Sequence, residues 1–192
     1  MRISYEIIKS ISPDDYVVVA GVGSESFLDA ILRNTDEPTE GRVTADYPLR
    51  GGAYFDVMGF HSYPDIDGTV RVWDPSINDF RFFRHSDGAA NGISVRQGLY
   101  QNVLNYYGYD GVTFPKKEWI ITEINAPRRP FKDDSMGSED LQLNYTIKAV
   151  VRAMKDNIRQ IHVYSIFEEE TEANATEEFH LLGLYKLSLI HI

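Results

Sequence analysis

The sequence predicts a mixed α/β fold with a parallel sheet, and two observations support this. Short runs of nearly continuous apolar residues, which are typical of strands buried on both faces, recur along the chain. Segments with apolar residues at helical spacing alternate with these runs. This order implies right-handed crossovers between parallel strands. Two architectures have it: an open doubly wound sheet and a (β/α)8 barrel.

The first three elements are a helix, a strand and a second helix. Isoleucines at helical spacing over 3–11 predict a helix that ends before the turn signal Ser12-Pro13. The run "YVVVA" at 16–20 predicts a buried strand, whose neighbours in the sheet should be parallel to it. Ser24 or Ser26 is placed to cap the helix that follows.

The middle of the chain predicts a second strand, a long loop and a third helix. The run "YFDVMGF" at 54–60 reads as another buried strand, and it leads into "HSYPDID". We expect residues 65–91, which are rich in aromatic and polar side chains, to form a long irregular loop. Loops of that length inside compact domains tend to be functional. Apolar residues at helical spacing over 92–107 return the chain to a helix.

The last elements are two strands on either side of a strongly amphipathic helix. Residues 119–124 predict the third strand, and residues 160–167, "QIHVYSIF", predict the fourth. Ser138, followed by Glu139 and Asp140, is predicted to cap the N-terminus of the helix between them. Its predicted apolar face consists of Leu141, Leu143, Ile147, Val150, Val151 and Met154.

Composition argues against several classes of function. The formal net charge of −10, from 29 acidic and 19 basic residues, would repel a phosphate backbone, so we expect no nucleic-acid partner. The absence of cysteine excludes a disulfide framework, a zinc-thiolate site and a thiol nucleophile. No apolar run approaches the roughly 20 residues that a membrane-spanning helix needs, so we expect no membrane partner.

The position of the polar side chains favours the barrel over the doubly wound sheet. The nearest match to a phosphate-binding loop, "GVGSES" at 21–26, lacks the third glycine of the dinucleotide fingerprint. Polar residues instead follow the carboxyl end of every predicted strand, as they do in (β/α)8 enzymes. The four clusters are Gly23-Ser24-Glu25, His61-Ser62-Tyr63, Glu123-Ile124-Asn125, and Tyr164 to Glu170.

Each candidate residue also has a purely structural interpretation. A glutamate that leaves a strand, such as Glu123, is often a solvated loop residue, and a histidine such as His61 is often held by structural hydrogen bonds. The run Glu168 to Glu170 is expected to be a solvated strand exit. A metal site built from His61, Glu123 and His162 would need a ligand spacing such as HExxH, which the sequence lacks. We therefore expect neither a metal nor another cofactor.

The stretches "FDVMGFHSYP" and "EWIITEINAPR" together resemble the sixth and seventh strands of the clan A glycoside hydrolases, a superfamily of (β/α)8 retaining β-glycosidases that includes cellulases and xylosidases. The resemblance implies that Glu123 is the catalytic nucleophile and that His61 and Tyr63 orient it and the sugar. It implies a carbohydrate substrate. An extracellular or periplasmic location would fit the family, while the sequence itself does not indicate the compartment. The substrate-binding residues that it suggests are Trp73, Asp65, Asn125, Tyr164 and Phe167, with Phe82 and Asp67 as further candidates.

The same resemblance implies that residues 1–186 correspond to strands five to eight of the barrel with their helices. The acid/base residue of the clan lies in an Asn-Glu pair after the fourth strand, and this sequence contains no Asn-Glu pair. A complete barrel needs about 250 residues, so we expect a C-terminal half-barrel that is inactive alone. Residues 187–192, "LSLIHI", resemble a translated sequencing adaptor and are expected to be non-native. The alternative function is a barrel-like carbohydrate-binding protein without catalysis.

Overall fold

The computed structural model describes residues 1–64, 71–82, 85–130 and 137–186. Within these ranges the chain has a mixed α/β fold with a small parallel three-stranded sheet, so the predicted fold class is confirmed at that level. The chain divides into two compact units. The first contains Met1–His61 and Gln97–Ile120, and the second contains Ser62–Arg96 and Ile121–Ile192.

Within the described ranges all four predicted helices and three of the four predicted strands are present, and two further strands form inside the expected loop. Two 3₁₀ helices, Gly51–Tyr54 and Glu178–Leu181, supplement them. In chain order the main elements are α1 (Arg2–Ile11), α2 (Glu25–Arg33), β1 (Val57–Ser62), β2 (Arg71–Asp74), β3 (Asp79–Phe82), α3 (Ser86–Tyr106), β4 (Glu118–Ile124), α4 (Glu139–Lys155) and β5 (Gln160–Val163).

The three parallel strands have the order β1-β4-β5. The chain passes from β1 to β4 through α3, and from β4 to β5 through α4. The run at 16–20 does not form a continuous strand. The segment lies beside β1 in parallel orientation through two isolated bridges, Val18 to Val57 within the run and Val22 to Phe60 just after it. The prediction of a parallel neighbour for this segment is therefore confirmed. The prediction of a strand is wrong, because only isolated bridges form.

The core of the first unit forms between α2, β1 and the C-terminal part of α3. Leu28 and Leu32, one turn apart on α2, are 0% and 1% exposed. The rings of Phe60 and Tyr100 lie 5.9 Å apart, and Tyr100 donates a hydrogen bond of 2.5 Å to the backbone carbonyl of Val22. A buried tyrosine hydroxyl needs such a partner, and here it ties α3 to the segment beside β1.

In the second unit α4 begins as predicted but buries a different face. Ser138 is its N-cap, and the Ser138 side chain accepts a hydrogen bond of 2.9 Å from the backbone N–H of Leu141. Most of the predicted apolar stripe is exposed; Leu143, Ile147 and Val151, for example, are 61%, 57% and 62% exposed. The buried residues lie mostly four apart and end in two alanines, whose small side chains let that part of the helix pack closely: Leu141, Gln142, Tyr145, Ala149 and Ala153.

The expected irregular loop at 65–91 contains regular structure, so this prediction is wrong in part. Strands β2 and β3 pair antiparallel, with Arg71 opposite Phe82 and Asp74 opposite Asp79. The turn between them is stabilised by Asp74, whose carboxylate accepts hydrogen bonds from the backbone and the hydroxyl of Ser76. The predicted fourth strand is also shorter than expected, since β5 ends at Val163.

Candidate functional site

The candidate site lies in the second unit and is centred on Tyr63 and Glu123. Tyr63 directly follows β1, and Glu123 is the penultimate residue of β4, the neighbouring strand. The Tyr63 hydroxyl donates a hydrogen bond of 2.7 Å to Oε2 of Glu123. Tyr63 is 6% exposed, whereas Glu123 is half-buried. A hydrogen bond from a buried phenol therefore orients a carboxylate at the end of a strand.

The environment of Tyr63 keeps its phenol protonated. Burial, and after it the hydrogen bond and the negative charge of Glu123, raise the pKa of Tyr63 above its ordinary value. At neutral pH the phenol is accordingly a permanent hydrogen-bond donor to the carboxylate. A carboxylate that is oriented in this way is suited to accept hydrogen bonds from hydroxyl groups or to attack an electrophilic carbon.

A second tyrosine, Tyr164, belongs to the same cluster. Its ring lies edge-on to that of Tyr63, with centroids 6.4 Å apart, and Phe179 packs against both rings at 5.2 and 5.9 Å. The Tyr164 hydroxyl donates a hydrogen bond to Glu169. That bond, ahead of burial, raises the pKa of Tyr164 to about 12. Two carboxylates, Glu123 and Glu169, are thus each held by a tyrosine of one aromatic cluster.

Asn125 is buried and held by the chain itself. It is 1% exposed, and its side-chain N–H groups donate to the backbone carbonyls of Tyr164, at 2.7 Å, and Leu182. Its side-chain oxygen accepts from the backbone N–H of Ala126 at 2.7 Å. Asn125 therefore fixes the segment after β5 against the end of β4. Its contact with a substrate stays a prediction.

The acidic run at Glu168 differs from the expected solvated strand exit. Glu168 is 5% exposed and forms an ion pair with the equally buried Arg128. A second carboxylate, that of the half-exposed Glu172, pairs with the same guanidinium. The prediction is therefore wrong for Glu168, because a buried carboxylate needs a charged partner and Arg128, just after β4, supplies it.

His61 lies in the first unit, at the end of β1 that precedes Tyr63. Its imidazole packs directly against the Cα of Gly21. A Cβ atom at residue 21 would lie 1.8 Å from Nε2 of His61, so no other residue type fits beside this ring position. Gly21 thereby leaves the space that the His61 ring occupies.

The remaining predicted binding residues are more dispersed. Trp73 lies in the β2–β3 hairpin, half exposed, with its ring edge-on to Phe80 at 5.3 Å. Phe167 is half exposed and its ring lies 6.0 Å from that of Tyr185. Asp65 and Asp67 lie outside the described residues, as does the side chain of Phe82.

Several residues of the site carry little signal in the sequence. Phe179 comes from a short 3₁₀ helix that is distant in sequence from the predicted strand ends, and Glu169 lies within the acidic run. Arg128 lies in the stretch "EWIITEINAPR", where no pattern marks it for a buried ion pair. The contact of Gly21 with His61 does have a signal in the sequence, the "GVG" of residues 21–23, because a glycine at a strand end often marks a close approach of another group to the backbone.

The described ranges contain no group of three or more histidine, aspartate or glutamate side chains that could hold a metal ion. None of the helices in the same ranges is long and apolar enough to cross a membrane.

Comparisons with protein-family models, with curated proteins and with solved structures found no significant match.

Proposed function

We propose that this chain carries the nucleophile of a retaining β-glycoside hydrolase, and that the nucleophile is Glu123. The observation that carries the proposal is the 2.7 Å hydrogen bond from the buried Tyr63 to the half-buried Glu123 carboxylate at the ends of two neighbouring parallel strands. Such rigid positions hold a reacting group more precisely than a mobile loop does.

The chemistry explains the two residue types. In the first step of a retaining mechanism a carboxylate attacks the anomeric carbon, a glycosyl ester forms, and the bond to the leaving oxygen breaks. The attacking oxygen must be ionised and aimed. The Tyr63 hydroxyl supplies an orienting hydrogen bond, while Tyr164 and Phe179, which pack on the Tyr63 ring and are partly exposed, offer apolar surface to a sugar ring.

The wider proposal is the partial barrel that the sequence resemblance implies, with β1 as the sixth strand, β4 as the seventh and β5 as the eighth. Its support is the parallel order β1-β4-β5 with α3 and α4 in the connections. A second carboxyl group about 5 Å from the nucleophile protonates the leaving oxygen in such enzymes. The proposal assigns no residue to that role.

The test uses a substrate that needs no acid. We would incubate the full chain with fluorinated β-glycosides, in gluco and xylo forms, whose dinitrophenolate leaving group departs without protonation. Attack by Glu123 releases dinitrophenolate and leaves the fluorosugar on the protein as a stable ester. Mass spectrometry should find one adduct, on the peptide that contains Glu123.

Glu123→Gln should abolish this adduct, while Glu177→Gln, an exposed glutamate in the same unit, should leave it unchanged. An adduct elsewhere, or none with either sugar, would overturn the assignment. If Glu123→Gln leaves sugar binding intact and the native chain forms no adduct, the carbohydrate-binding protein without catalysis becomes the better description.

A further inference from the structure

The first unit contains a cavity that the proposed glycosidase chemistry does not use. Its volume is about 620 Å³, which falls in the range of small-molecule sites. It lies at the loops that precede β1 and β4, next to α1 and the turn after α3. Its walls are largely aromatic, with side chains from Tyr5, Tyr16, Phe55, Tyr107, Tyr109 and Phe114.

Lys117 places a partly buried ammonium group in this cavity. Its ammonium donates hydrogen bonds of 2.7 Å and 2.5 Å to the backbone carbonyls of Gly52 and Phe55. It also lies over the rings of Phe55 and Tyr109, 4.5 and 4.3 Å from their centroids. An ammonium has three N–H donors, so these two carbonyls leave one donor for another acceptor.

The charges around the cavity favour an anion. Its lining contains three basic side chains, those of Arg50, Lys116 and Lys117, and two acidic ones, Asp56 and Glu118. Asp56 is engaged by Lys9 at 3.0 Å and by the backbone N–H of Val17 at 2.8 Å. This excess of positive charge is local, because the chain as a whole has a net charge of −10.

We propose that this cavity binds a small amphipathic anion, namely a planar aromatic body that carries a carboxylate, with Lys117 donating to the carboxylate. The aromatic walls contact the faces and edges of the planar body. Lys117 is already partly desolvated by Phe55 and Tyr109, so a charged hydrogen bond there is stronger than one at the surface.

The protonation of Lys117 makes the proposal measurable. Burial lowers the pKa of Lys117 to about 8, and a bound carboxylate would raise it again. Near pH 8 the ligand should therefore bind with uptake of a proton. The other ionisable groups that face Lys117 around the cavity, from α1 and the surrounding loops, are Tyr5, Tyr16, Arg50, Asp56, Tyr107, Tyr109, Lys116 and Glu118.

The experiment is calorimetric titration of the full chain with naphthoate, and with naphthalenemethanol as the neutral analogue. We expect naphthoate to bind at least about tenfold more tightly than the alcohol, as a charge-assisted hydrogen bond implies. Lys117→Met should remove that preference, whereas Lys155→Met, which deletes the same charge from an exposed position on α4 outside the cavity, should keep it. Circular dichroism would verify that both variants are folded.

Proton uptake gives a second readout that needs no variant. In two pH 8 buffers with different heats of ionisation, the native chain should take up a fraction of a proton per naphthoate, because part of the Lys117 population is then neutral. Failure of naphthoate to bind, equal binding of the alcohol, unchanged binding by Lys117→Met, or no proton uptake would each overturn the proposal.

Discussion

The phenol of Tyr63 and the carboxylate of Glu123, 60 residues apart in the chain, are joined by a hydrogen bond of 2.7 Å. The sequence places each at the end of a predicted strand, and parallel pairing of β1 with β4 brings those ends to one edge of the sheet. The pair therefore offers a direct test of how the carboxylate is held.

Tyr63→Phe deletes this hydrogen bond and keeps the ring that packs on Tyr164 and Phe179. We expect the glycosyl adduct on Glu123 to form on the order of tenfold to a hundredfold more slowly, because the carboxylate is less well aimed. The free energy of unfolding should fall by about 1–2 kcal/mol. Time-resolved mass spectrometry and urea unfolding measure the two effects. Tyr185→Phe is the control, and an unchanged labelling rate in Tyr63→Phe would contradict the orienting role.

Gly21→Ala should disturb His61, because the new Cβ would lie 1.8 Å from the Nε2 atom of the ring. The imidazole must rotate away, and we expect a loss of about 1–3 kcal/mol in the free energy of unfolding. The proton shifts of the His61 ring should change with it. Gly98→Ala in α3 is the matched control: nothing lies within 4 Å of its Cβ, and alanine should stabilise the helix by about 0.5–1 kcal/mol. Equal effects of the two substitutions would exclude the close approach.

Some features of the fold could be predicted from local patterns, and others depend on tertiary packing. Ser24 and Ser138 both look like N-caps, and both occupy that position, but only Ser138 makes the side-chain hydrogen bond. The face that α4 buries could not be read from hydrophobicity, since Ala149 and Ala153 pack inward while Val151 remains exposed. Close packing, rather than apolar character, decides that face.

The site shows the same division. Parallel strands place their carboxyl ends at one edge of the sheet, and this rule predicts from the sequence that Tyr63 and Glu123 lie close together. The pairing of Arg128 with Glu168 had no pattern to reveal it, since the two residues are 40 positions apart and charged residues are ordinarily exposed. The partial barrel remains a proposal.

Glu168→Gln should be strongly destabilising. Arg128 and Glu168 are both almost fully buried, so removal of the Glu168 charge leaves the guanidinium of Arg128 only partly compensated in a poorly solvated place. Glu172 still pairs with the guanidinium, and we therefore expect a loss of about 3 kcal/mol in the free energy of unfolding. Glu172→Gln, at a half-exposed position, should cost less than about 1 kcal/mol. Urea denaturation of both variants measures the difference, and equal losses would show that the buried pair is not the dominant interaction.

The exposed apolar stripe of α4 should promote self-association. Ile147 and Val151 lie one turn apart and are 57% and 62% exposed, and contiguous exposed apolar surface favours aggregation. Ile147→Glu combined with Val151→Lys replaces the stripe with a charge pair at helical spacing. We expect the apparent mass from light scattering to fall and to lose its dependence on concentration. The same charges introduced on α3, by Gln101→Glu with Asn105→Lys, should leave association unchanged. A native chain that is monomeric at all concentrations would refute the prediction.

Lys117 should make the stability of the chain depend on pH in the alkaline range. Its pKa is lowered by burial to about 8 in the folded chain, against 10.5 as the ordinary value. Between these values the unfolded chain binds more protons, so the free energy of unfolding rises as the pH rises. Below pH 8 the ammonium is charged in both states and the cost of burying it is complete.

Lys117 is partly solvated, so we expect a gain of roughly 1–2 kcal/mol in the free energy of unfolding between pH 7.5 and pH 9.5. Urea unfolding at these two pH values measures it, and the range stops below the ordinary titration of tyrosine, near pH 10. Lys117→Met should lose this slope, because methionine carries no proton in either state, and Lys116→Met should retain it. If Lys117→Met keeps the alkaline rise, the ammonium of Lys117 is not the group whose burial opposes folding.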